Sequence, residues 1–346
     1  MDVNSATVKA NGAMSKGVAV LLSAAAAIAY PFVLAAFHAV VVSPGFDDAL
    51  LSRVGAALLL LLAFALPLSG LAVAYALIRS PVPHAAAGRF AYASLAAPPL
   101  FVFLGVTRSL LKIHVPELAL WIIFWTLAAI WVSFARTVSM PARPARLPAR
   151  WRVAHGISAA LISCYVLFHL ANHLFGLAGP DIHAAIMKAG RLVYRSAFVE
   201  PVLVILLLFQ VASGIRLAWT WSSVRGDAYR LFQVGSGAYL AAFILTHMNS
   251  ALISARVMHK IDTNWAWASG APVGLIHDAW NIRLLPHYAL GVFFVLGHLA
   301  SGLRVVLLAH GVRAVIADRI WVAGLLGGAV VSAAITCALC GVRVSL

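Results

Sequence analysis

Two histidines interrupt long apolar stretches of this chain. His169 lies in YVLFHLANHLFG (165–176) and His247 in YLAAFILTHMNS (239–250). An ionisable side chain inside a bilayer is costly and marks a candidate functional site. Two imidazoles facing each other across a helix bundle are what a haem iron needs as axial ligands. A third histidine, His298, sits in FVLGHLASGLRVV (294–306), and the residue expected to face it is Gln210. An amide is a poor iron ligand beside imidazole, so the second pair is asymmetric. Hydrogen bonding between Gln210 and His298 is the structural alternative, since amide and imidazole offer complementary donors and acceptors.

Elements able to hold these side chains follow from composition. The chain has 346 residues, 63% hydrophobic and 10% charged, with mean hydropathy +0.97. Soluble domains of this size are not so apolar, and runs of 18 or more apolar residues recur. The expected fold is all-α and polytopic. The net charge of +15 would raise nucleic acid as a partner in a soluble protein; here the basic residues flank apolar spans and report topology and membrane lipid contact. Cys164, Cys337 and Cys340 all fall within expected spans and read as packing residues rather than a disulfide framework.

About nine spans are expected: 18–42, 54–78, 90–111, 117–138, 154–176, 198–221, 231–255, 286–310 and 319–341. The expected location is the cytoplasmic (inner) membrane, and basic residues in short loops put the N-terminus on its inside and the C-terminus on its outside. The decisive loop is RTVSMPARPARLPARWR (136–152), whose prolines also break the chain into two parts: four spans in residues 1–140, and five in residues 151–346. Counting at 1.5 Å per residue puts His169 about 22 Å and His247 about 24 Å from the inner ends of their spans. Gln210 and His298 are each about 18 Å from the outer ends of theirs, at a level nearer the inside. A weak repeat relates PLSGL (67–71) to VASGI (211–215). Ser-Gly pairs are also common packing sites in membrane helices.

The pieces AHGISAALISCYVLFHLANHLFG (154–176), LLLFQVASGIRLAW (206–219), RLFQVGSGAYLAAFILTHMNS (230–250) and FVLGHLASGLRVV, in this order, resemble the membrane-anchor cytochrome b subunits of the succinate dehydrogenase and fumarate reductase family. The resemblance implies a haem-binding four-helix bundle plus one span, with haem b held by His169 and His247 as the outer pair. His298 matches one inner ligand, and Gln210 is a departure at the other. The resemblance further implies electron transfer between a quinone pool and flavoprotein and iron–sulfur subunits on the cytoplasmic side. His155 and Arg152 lie at the inside mouth, where family members face the iron–sulfur partner. Arg191 and Arg195 are placed to pair with haem propionates, and His173 to bind a quinone oxygen, a propionate or water. Two other readings stay open at this point: a transporter or lipid-handling protein that kept the fold without haem, and a stand-alone quinol-linked oxidoreductase. The first four spans are outside the resemblance.

Overall fold

The computed structural model describes residues 14–80, 84–136, 149–222, 224 and 226–344. The Pro- and Arg-rich boundary at 137–148, with Arg143 and Arg146, lies outside the described residues, as do Lys9 and Arg225.

Helices make up every regular element among the described residues. In chain order they are α1 (Lys16–Val41), α2 (Leu50–Ile78), α3 (Ala85–Leu95), α4 (Ala97–Leu110), α5 (Glu117–Phe134), α6 (Ala149–Leu174), α7 (Pro180–Tyr194), α8 (Val199–Trp221), α9 (Ala228–Met248), α10 (Leu284–Ala309) and α11 (Ala314–Leu339). Local chemistry fixes several of their ends. Ser15 caps α1 by accepting from Val18 N, and the Asp227 carboxylate caps α9 by accepting from Arg230 N at 2.8 Å. Helix α7 starts at Pro180, straight after Gly179 with φ +124°.

Eight helices are long and apolar enough to cross a membrane, and the bent pair α3–α4 passes the same test as a unit. Leu21, Leu61, Leu127, Leu161, Ile205 and Leu326 stand exposed on outward faces. Apolar surface of that extent needs lipid rather than water as its solvent. This is a multi-pass all-α membrane protein. The third span, expected as one helix over 90–111, instead begins at Ala85 and bends by 66° between its halves. Pro98 and Pro99 open α4, where their missing N–H groups cost least. Arg89 in α3 bonds Ser222 Oγ and the Trp219 carbonyl, both at 3.1 Å, at the Arg-rich end of the bundle. Val102 and Val106 of α4 line a cavity with His247 and Ser254 toward the opposite end. Among the described residues the count is therefore eight single-helix spans, or nine with the bent pair taken as one.

Helices α6, α8, α9, α10 and α11 pack as successive neighbours, and α11 returns to α6, which closes a five-membered ring. Helix α9 also packs on α2, α3 and α4, so the two parts of the chain share it. Beyond His247 it runs directly into a π-helical segment, Asn249–Met258, a rare conformation often found beside functional sites.

Candidate functional site

His169 on α6 and His247 on α9 face each other with ring centres 6.0 Å apart and planes at 72°. Two imidazoles bound on opposite sides of one metal ion through bonds of about 2 Å have centres about 6 to 6.5 Å apart. The pair read from the sequence is thus brought together in direct edge contact. His173, one turn further along α6, packs edge-on against His169 at 4.7 Å. Its own ring lies 5.4 Å from His183 of α7, and His183 lies 4.7 Å from Trp265. Four imidazoles therefore run from mid-bundle to the amphipathic surface helix.

The arginines that the resemblance assigned to propionates have protein partners in this structure. Arg191 pairs with Asp262 at 3.0 Å and donates to the Thr263 carbonyl at 3.0 Å. Arg195 donates to Thr263 Oγ1 at 2.7 Å. Their role in this structure is to clamp the 262–263 loop onto α7, because that loop brings an acid and free acceptors across the end of the helix. Glu200, in the first turn of α8, forms an ion pair with Arg256.

The second level departs from the sequence expectation. Gln210 does not pair with His298: its amide donates to the His155 carbonyl at 2.8 Å and to Ser158 Oγ at 2.6 Å, which ties α8 to α6. The ring facing His298 is His155, with centres 6.5 Å apart and planes at 85°. The depth count failed because α6 begins at Ala149, five residues before the expected start, so His155 lies inside the bundle and not at its mouth. A usable signal was present. His155 and His169 are 14 residues apart, and His287 and His298 are 11 apart. At about 100° per residue both spacings return to one helix face.

His287 is the residue that sequence reasoning passed over. It is buried with Nδ1 unpartnered, and its ring lies 4.6 Å from Phe243 and 5.4 Å from Tyr288. With His247, Tyr288, Trp267, Trp280 and Ser254 it lines a cavity of about 240 Å³. That is the scale of a ring-sized head group rather than a whole large ligand.

Among the described residues no group of three or more His, Cys, Asp or Glu side chains is arranged to hold a metal ion. The candidate chemistry is accordingly that of imidazole pairs. Comparison with family models, curated proteins and solved structures finds no match.

His183 supplies a pH prediction. It lies on α7, outside the spans, and burial first, then the Arg191 charge, lowers its pKa to about 4. The undocked helix takes up a proton near 6.5, so docking is complete above that pH and weakens as pH falls toward 4. Hydrogen exchange corrected for intrinsic rates should show α7 losing protection at pH 5 relative to pH 7. His183→Phe should flatten that response; an equal response in both proteins would count against it.

Proposed function

We propose that the chain is a membrane electron-transfer protein carrying haem b between His169 and His247, and that it exchanges electrons between a quinone and a partner protein. The observation that carries this reading is the 6.0 Å separation of two facing imidazoles on different spans. The haem would supply a one-electron carrier in a low-dielectric setting. The 240 Å³ cavity touches the same His247, so a quinone ring held there lies against one of the two ligands. His287 and Tyr288 offer hydrogen-bonding groups to its oxygens, and the imidazole series His169–His173–His183 provides groups able to hold a proton between the site and the surface. The Arg-rich end, with Arg152, Arg230 and Arg304 from three ring helices, suits an acidic partner face. This is where flavoprotein and iron–sulfur subunits of a succinate dehydrogenase- or fumarate reductase-like complex would dock.

Absorption spectra of protein purified from haem-replete membranes provide the test. Dithionite should elicit b-type bands, and His169→Ala and His247→Ala should each remove the haem bound between them. A colourless preparation from such cells overturns the reading, and bands that survive both substitutions overturn the ligand assignment. Copurification of flavin- and iron–sulfur-containing subunits distinguishes an anchor subunit from a stand-alone quinol enzyme.

A further inference from the structure

We infer that the first part of the chain selects the substrate of the second: Val102 and Val106 on α4 form the wall of the 240 Å³ cavity that decides which ring substituents a quinone can carry. The inference rests on the quinone reading above and names the selecting face of that site. Helix α4 lies outside the resemblance, so this wall is an addition by the first part of the chain.

The cavity has two chemically different sides. On one, Ser250 and Ser254 of the π-helical segment, His287 and Tyr288 bring polar groups. Among the described residues none of these four side chains hydrogen-bonds to the protein, and His287 Nδ1 is fully buried as well. A buried polar atom without a partner calls for one from a bound molecule or water. A ring bearing carbonyl or hydroxyl oxygens supplies it. On the other side, Val102, Val106 and Leu284 offer only hydrocarbon. That contrast orients a flat ring, with its oxygens toward the polar groups and its alkyl substituents against the valines.

The apolar wall is fixed in place. The chain bends by 66° between α3 and α4, and α4 packs on α9, on the π-helical segment and on α10. Thr246, next to His247, bonds the Pro99 carbonyl of α4 at 3.0 Å. Arg283 lies 4.3 Å over the Phe101 ring, and a Cβ on Gly105 would stand 2.6 Å from its guanidinium. Val102 and Val106 are one turn apart and share a helix face. They are 1% and 7% exposed and belong to one buried cluster with Leu170 of α6 and Leu284 of α10. Valine is stiff at χ1, and close-packed neighbours leave it little room to turn aside. A wall of this kind discriminates by size: one methylene in an apolar pocket is worth about 10-fold or more.

Equilibrium binding of two radiolabelled, short-tailed benzoquinones to the full chain in detergent tests this. Their free ring positions carry methyl groups in one and ethyl groups in the other. The wild type should favour the methyl compound by about 10-fold, the low end for added methylenes in an apolar pocket. Val106→Ala and Val102→Ala should each bring the ratio of the two dissociation constants toward one, and Val106→Trp, which fills the cavity, should abolish binding of both. Phe103→Ala, on the exposed face of α4, should keep the wild-type ratio. Because the ratio compares two ligands on one preparation, a general loss of folded protein cancels from it. A wild type that binds quinone with a ratio unmoved by Val102→Ala and Val106→Ala, or binding that survives Val106→Trp, overturns the inference while quinone binding stands. A wild type that binds neither compound overturns the quinone reading itself.

Discussion

Arg283→Ala should lower the unfolding free energy of the protein by about 3 kcal/mol, the low end of the range of about 3–5 kcal/mol for removing one partner of a buried ion pair. Arg283 lies just before α10, and its side chain is 9% exposed. Its guanidinium bonds the Glu117 carboxylate at 2.5 Å and lies 4.3 Å over the Phe101 ring and 4.8 Å over that of Trp280. Without it, the Glu117 side chain is left at 14% exposure with its guanidinium partner gone. The low end applies because Glu117 sits in the first turn of α5, where the helix dipole favours an anion. The double variant Arg283→Met/Glu117→Leu should recover most of the loss, since it leaves no lone buried charge. Denaturant titration in mixed micelles reads both. A single variant within 1 kcal/mol of the wild type would show that the pair is solvated in the native protein.

Gly70→Val should be the most damaging single change in the first part of the chain. A Cβ at position 70 would stand 2.4 Å from the Ala91 carbonyl and 3.0 Å from Leu95 N. Both atoms are backbone, so no rotamer change relieves the clash and α2 must move off α3 by about 1 Å. Overpacking of this kind costs about 1–3 kcal/mol, and close approach at small residues is a main source of cohesion between membrane helices. Gly214→Ala is the control. Its Cβ would meet His155 Cε1 at 3.5 Å, an ordinary contact, so folding should be unaffected. Thermal unfolding midpoints should fall by several degrees in the first variant and hold in the second; equal midpoints would refute the assigned difference.

That contrast shows how much the sequence disclosed. SG at 69–70 and SG at 213–214 are identical dipeptides in similar apolar contexts. In one, glycine admits a neighbouring backbone; in the other, serine and glycine seat an imidazole. No local signal separates these uses, because the difference lies in which helix arrives opposite. The spans and the facing of His169 and His247 were legible, since apolar length and depth along a helix are local quantities. The partner of His298 was not, because it depended on where α6 begins, and a five-residue error at a helix start moved His155 from the rim to the interior. His287 was hidden by the opposite error. It follows the long loop between α9 and α10, which folds back so that Trp267 and Trp280 wall a cavity.

The sharing of α9 between the two parts of the chain bears on how the protein is made. It is the least apolar of the eight single-helix spans. Thr246 donates to the Pro99 carbonyl on α4, while Ser236 bonds His298 on α10. Alone in lipid, those groups would keep only the carbonyls of their own helix as partners. Because α1–α5 leave the ribosome first, a finished surface awaits α9 when it enters the bilayer. Deleting the early spans should therefore expose the α9 face that packs on α2, α3 and α4 and lower the yield of folded protein in the membrane.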